Sequence, residues 1–426
     1  MHGKIKIWHA VVLFCLLILT VRFKLVLSSY LFTFDFIYLM LTEFSKAAGL
    51  FSLSLADSVL SSLLLLALPA VAVLMRKRFL LCREISFTST VITVLLLFFL
   101  LAPLVAGTNP DFQKSLSVTK LLPPLSSVKV LHLKAENTGD KSFFANLIRL
   151  RNFVVKRSFD ENIILADSVD YSGGIKYFQS GAAQGISLEK LVTSNGKPLV
   201  TTRYFLLGTD ELGRDIFSRL VYGARISLFV GLGSVFISLI LGLGLGFLAG
   251  YPGGLIDSSI SRFTDVFLAF PVIFLIILVL ALFGNSLLSV IAVLGFSGWM
   301  SLFKIVRGEV ISIKDKDFFI SARLAGLSKG RLLVKEVLPV IIAPVTVNLI
   351  FQYGSVILAE AALSYLGLGT GSSYPSWGSM IESGQNYLSQ AWWMIFFPGV
   401  LLFLTLYTAN NLGKEINSYF NPRVEL

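Results

Sequence analysis

Long apolar runs alternate with short charged segments along most of this chain, and the runs set its architecture. A helix rises 1.5 Å per residue, so about 20 apolar residues cross a bilayer core of roughly 30 Å. Runs of this kind at residues 8–27, 50–75, 87–106, 226–250, 266–283, 287–303, 340–362 and 392–410 predict eight spans. A shorter aromatic-rich run at 30–41 reads as an interfacial element or part of a longer tilted one. Lys4 and Lys6 precede the first run as they would in a signal peptide. Val21-Arg22-Phe23-Lys24 follows it where a small-residue cleavage site would stand, so the run is read as a retained span.

The pattern changes at residues 108–205, which are polar and carry Pro123-Pro124, Gly173-Gly174 and Asn195-Gly196 as turn signals. Ser127–Leu133 and Asn162–Ala166 alternate or run apolar in the manner of short strands. This is a mixed, β-containing soluble insert.

Composition agrees with a lipid environment. Of 426 residues, 55% are hydrophobic and 14% charged, against about 25% charged in a soluble domain. The net charge of +11 reads as topology, because Lys and Arg gather in cytoplasmic loops. Residues 304–335 hold eight Lys/Arg and residues 366–391 none, so the first segment is expected inside and the second outside. Counting spans back places the basic cluster RKRFLLCRE (76–84) inside, the insert outside and both termini in the cytoplasm.

The same charges show no aromatic interleaving of the kind that grips nucleic acid, and no nucleic-acid partner is expected. Cys15 and Cys82 do not form a disulfide framework, and His2, His9 and His132 are too scattered to hold a metal. There is no P-loop or HExxH, so neither a nucleotide site, a cofactor nor an enzyme is expected.

Several local features carry chemistry. Gly242, Gly246 and Gly250 recur on one helix face, which suits close packing within the chain or against a second membrane subunit. Residues 216–225 have the spacing of an amphipathic interfacial helix. Asp57 is expected near a membrane end, since a mid-bilayer carboxylate is costly. The segment 311–339 reads as a short helix over 318–324, a stop at Gly326, a second amphipathic piece over 329–337 and a new span opened by Leu338-Pro339. Its Phe318-Phe319-Ile320 patch needs a partner.

These residues carry a resemblance. LGTDELGRDIFSRLVYGARISL, AGYPGGLIDSSISRFTDVFLAFP, SARLAGLSKGRLLVKEVLP and LAEAALSYLGLG followed by PSWGSMI resemble the C-type permease subunit of the oligopeptide/dipeptide/nickel ABC importers. The likeness covers 205–422, about half the chain. It implies an all-α, polytopic six-helix permease core in the bacterial inner membrane, forming half of a translocation path for di- and oligopeptides. It also implies a second permease subunit, two cytoplasmic ABC ATPases and an extracytoplasmic solute-binding protein as partners.

The 311–339 loop corresponds to the EAA loop, whose coupling helix docks on an ATPase. Its residues here are Phe318, Phe319, Ile320, Ser321, Ala322, Arg323, Leu324, Ala325, Gly326, Leu338 and Pro339. The family Glu falls at Ile320 and its first Ala at Ser321, a departure that makes the contact more apolar. Gly208, Thr209, Asp210, Gly213, Arg214 and Asp215 match the family's external segment. Glu360 matches a Glu that either lines the path or serves as a structural hydrogen-bonding group.

Two features lie outside the resemblance, namely two extra N-terminal spans and the insert, which either contacts the binding protein or decorates the surface. The expected division is 1–84 extension, 85–107 first core span, 108–205 insert and 206–426 remaining core. A stand-alone secondary transporter or channel is the alternative. It is disfavoured by the absence of an inverted repeat and by few intramembrane charges.

Overall fold

The computed structural model describes residues 6–75, 86–134, 142–156, 162–171, 175–194, 197–370 and 375–420. The basic cluster at 76–84 and the Gly173-Gly174 and Asn195-Gly196 turns lie outside these residues. The chain divides into two units, Met1–Arg225 with Ser383–Phe397, and Ile226–Glu382 with Pro398–Leu426. Seven described helices are long and apolar enough to cross a membrane, or eight if one bent pair counts as a span.

In the first unit, the apolar run at 8–27 is not one helix. It breaks at Arg22, giving α1 (Ile7–Val21) and α2 (Phe23–Thr42). At 15 residues α1 is only about 22 Å long, whereas α2 has the 20 residues a span needs and absorbs the expected 30–41 element. A short α3 (Phe44–Leu50) leads into α4 (Leu53–Leu74). Ser52 caps α4 by accepting the Leu55 N–H. Ile7, Val11, Cys15, Ile18 and Val26 pack with Leu65, Ala72, Leu97, Leu101 and Leu104 of α4 and α5 (Phe87–Val105).

The described part of 108–205 begins with a single turn, α6 (Leu116–Thr119), and holds three small antiparallel sheets. β1 (Ser126–His132) lies between β2 (Ile163–Ala166) and β8 (Val200–Phe205), as the 127–133 and 162–166 patterns predict. β3 (Ser168–Asp170), β4 (Ile175–Gln179) and β5 (Ala182–Ile186) form a meander, and β6 (Thr193–Ser194) pairs with β7 (Lys197–Pro198). Val128 and Val130 of β1 join Val118, Ile163, Leu165 and Phe205 in one core. The segment also contains α7 (Phe143–Lys156), which buries Leu147 and Val154 against Phe32, Leu39, Ala47, Leu50 and Leu55.

In the second unit, α8 (Ile216–Gly250), whose first turns lie in the first unit, packs on α11 (Leu287–Lys314). No separate interfacial helix exists at 216–225, because α8 runs without a break over its 35 residues. A Cβ on Gly242, Gly246 or Gly250 would lie 2.8, 2.6 or 2.9 Å from Leu302, Val306 and Val310 respectively. The glycine face is therefore filled by this chain's own α11, and the second-subunit reading of that face is set aside.

The predicted span at 266–283 is broken at Phe270-Pro271. α9 (Gly254–Ala269) and α10 (Val272–Phe283) meet at 86°. Pro271 disfavours helical backbone at the residue before it, and Phe270 is extended at φ −92°, ψ 138°. The remaining helices are α12 (Asp317–Leu324), α13 (Lys329–Leu332), α14 (Leu338–Tyr365), α15 (Trp377–Gln385) and α16 (Trp393–Phe420).

Candidate functional site

The segment 311–339 forms a helical elbow at the end of α11. Asp317 opens α12, where a carboxylate suits the positive end of the helix. Two turns later Gly326 ends it at φ +82°, the left-handed region that glycine enters freely. A Cβ at 326 would meet no atom within 4 Å, so the requirement there is conformational and not steric.

Leu338-Pro339 does not restart the chain. Helix continues from Lys329 to Tyr365, 37 residues, with a π turn at Leu333–Val337. Pro339 has no N–H, and its ring clashes with the carbonyl four residues back in a regular α-helix. The widened turn just ahead of it is the adjustment that lets the helix run on.

The expected Phe318-Phe319-Ile320 patch is divided. Phe319 is 2% exposed and packs with Leu302, Val306, Val310, Leu332 and Val337. Its ring meets Tyr251 edge-on, centroids 6.4 Å apart. Phe318, Ile320 and Leu324 face outward at 45%, 43% and 82%. Ser321, Arg323 and Ala325 are exposed beside them, and Ala322 is half-buried. So Phe319 anchors α12 to the body, and the other three present an apolar face.

The surrounding charges brace this anchor. Lys314 Nζ donates to the Tyr251 carbonyl at 3.0 Å, Arg307 forks onto Asp257, and Lys304 lies 2.9 Å from Asp265. Sequence reasoning missed this brace, since its two halves lie some fifty residues apart.

Glu360 is wholly buried. Its carboxylate accepts from Ser364 Oγ at 2.8 Å and Ser227 Oγ at 3.2 Å, and Ser227 Oγ in turn accepts the Trp377 N–H. The carboxyl is thus held by hydroxyls and closed to solvent.

The 208–215 motif is a pinned loop in the first unit. Gly208 (φ +81°) and Gly213 (φ +71°) turn it, and a Cβ at Gly208 would lie 2.5 Å from the Leu122 carbonyl. Thr209 exchanges backbone and hydroxyl bonds with Thr119 and Leu122, and its carbonyl accepts from Trp393 Nε1 at 3.0 Å. Asp210 accepts the Leu212 and Arg214 N–H groups and pairs with Arg214 Nε at 2.6 Å.

Asp215 caps α8 through the Ser218 N–H and hydroxyl. Burial pushes the Asp215 carboxyl up, against the pull of Ser218 and Arg203. Burial also lowers Arg203 to about 10, opposed by Asp215. The Arg203 guanidinium lies 5.2 Å from the Phe112 ring centroid and 4.9 Å from that of Phe205. The six motif residues are thus brought together in one pinned turn ahead of α8.

No group of three or more His, Cys, Asp and Glu able to hold a metal occurs among the described residues.

Residues 242–425 match the family described as binding-protein-dependent transport system inner membrane component. The dipeptide transport system permease protein DppC of Alkalihalophilus pseudofirmus is 38% identical over 218 residues, 51% of this chain and 72% of that protein. The di/tripeptide transport system permease protein DppC of Pseudomonas aeruginosa is 38% identical over 52% of this chain and 73% of its own length. The oligopeptide transport system permease protein OppC of Haemophilus influenzae is 34% identical, over 52% and 71% respectively.

Proposed function

The chain belongs to the family of binding-protein-dependent transport system inner membrane components, and from that premise we propose that it imports di- and oligopeptides as one permease subunit of an ABC importer. It forms half of the path with a second permease subunit. Two cytoplasmic ATPases drive it, and an extracytoplasmic solute-binding protein feeds it. The chain itself hydrolyses nothing and sits in the bacterial cytoplasmic membrane with both termini inside. In this reading 1–84 is an added extension, 85–107 the first core span, 108–205 an external insert and 206–426 the rest of the core.

The single observation that carries the coupling role is the division of α12 into an anchor and a free face. A helix of 8 residues is too short to be stable alone, so its order comes from Phe319 and Tyr251. What that order holds out is Phe318, Ile320 and Leu324, an apolar surface whose burial requires a partner. The eight Lys/Arg of 304–335 favour the cytoplasm for this face, which is where an ATPase would meet it.

The test is uptake and ATP hydrolysis in vesicles holding the complete importer. Gly326→Val, whose β-branched side chain resists the left-handed backbone at φ +82°, is expected to leave membrane insertion intact while separating ATP hydrolysis from peptide uptake. Normal uptake by that variant would remove α12 from the coupling path.

A further inference from the structure

α5 contains a defect that the chain repairs from two directions. Pro103 lies inside the helix and has no N–H, so the Phe99 carbonyl four residues back loses its regular partner. Leu101 leaves helical geometry at φ −113°, ψ 20°. An open carbonyl in an apolar segment is costly unless another donor reaches it.

Arg225 supplies that donor. Its Nε donates to the Phe99 carbonyl at 2.7 Å and its Nη2 to the Leu100 carbonyl at 3.3 Å. Ser61 Oγ of α4 also donates to Leu100, at 3.0 Å. The remaining face of the guanidinium is taken by Asp57 of α4, both carboxylate oxygens lying 2.5 Å from Nη1. The two side chains are 21% and 30% exposed, so neither charge is fully hydrated.

We propose that Asp57 is a positioning residue, and that the added α4 serves the core by supplying the counter-charge that holds Arg225 across the kink of α5. A guanidinium has five donors in a rigid fork, so one group can cap two carbonyls and still fork onto a carboxylate. A lysine ammonium, with three donors at one point, cannot span the same four acceptors. The extension is in this sense a fixed component of the first core helix and not a separable decoration. The proposal concerns α4, α5 and Arg225 alone and stands whether or not the coupling reading of α12 holds.

The chain of causes starts at Pro103, and this gives an unusual test. Pro103→Ala restores an N–H able to reach the Phe99 carbonyl, which makes the donation from Arg225 redundant there. Melting temperatures of the full chain in the assembled importer are measured for Asp57→Asn and Asp57→Glu, each with Pro103 and with Pro103→Ala.

With Pro103 present, Asp57→Asn is expected to lower the melting temperature and Asp57→Glu to recover most of the loss. With Pro103→Ala, the Asn penalty is expected to fall to about half or less, the non-additivity of groups sharing one network. If Asp57→Asn yields no assembled complex, recovery of assembled complex in the double variant reads the same effect. An equal penalty in both backgrounds, or a double variant that still fails to assemble, would overturn the proposal.

Discussion

Replacing Leu324 by Ala separates contact from scaffold more sharply than any other change in α12. Leu324 is 82% exposed, so its truncation removes little from this chain's own fold. Complete burial of a leucine contributes about 1.5–3 kcal/mol. Four fifths of that, less the Cβ that alanine keeps, leaves roughly 1–2 kcal/mol, or about 5- to 30-fold in the dissociation constant of the ATPase. The assay is titration of the purified ATPase onto the permease pair in nanodiscs. Phe319→Ala is the companion. It is 2% exposed, and emptying such a site costs about 3–5 kcal/mol, so it should lower the permease's own melting temperature. Leu324→Ala should leave that temperature unchanged. ATPase affinity within about twofold of the parent for Leu324→Ala would refute the docking face.

Other outcomes follow from the same geometry. Gly326→Asn should transport better than Gly326→Val, because the site at φ +82° has open space and tests only backbone freedom; equal uptake by the two would show that the left-handed stop is unimportant. Gly246→Leu should block assembly of α8 on α11, since even a Cβ would lie 2.6 Å from Val306; a full yield of folded protein on size exclusion would contradict this. Burial, with the charge of Asp210 adding to it, raises the Glu211 carboxyl despite its own backbone bond and the pull of Arg214 and Arg219. The folded chain therefore holds that proton more tightly than the unfolded one. Its stability contribution is greatest below the ordinary carboxylate range and declines as pH rises through the raised value. Glu211→Gln should flatten that part of the melting-temperature profile, and an unchanged profile would count against the assignment.

Much of this was legible because lipid and water leave different marks on a sequence. Runs of the right length give the helices, and the glycine periodicity of α8 gives a packing face. What the runs do not carry is their internal breaks. Arg22 divides α1 from α2 inside continuous apolar sequence, while Pro271 was a readable signal that the 266–283 run outweighed. α7 was also readable, since Leu147, Ile148, Leu150 and Val154 recur near helical spacing, but flanking turn signals obscured it. Phe318 and Phe319 are indistinguishable as letters, and only the direction α12 takes from α11 decides which one is the anchor. The Asp57–Arg225 pair joins residues 168 apart and has no local signature at all. The insert's role also looks different with its packing in view. Deleting 112–198 would strip α7 from Phe32 and Leu39 and the 119–122 segment from Thr209, so point changes on its exposed surface are the cleaner probe of binding-protein contact.

Cysteine cross-linking in the assembled importer reads directly whether α12 meets an ATPase. The background is free of Cys15 and Cys82, with a single new cysteine at Leu324→Cys or, as a control, at Leu41→Cys, an equally exposed position in α2. The predicted result is an adduct of permease plus ATPase from position 324 alone, with a yield that changes between the nucleotide-free and ATP-bound states. No adduct from 324, or the same adduct from 41, would contradict the account.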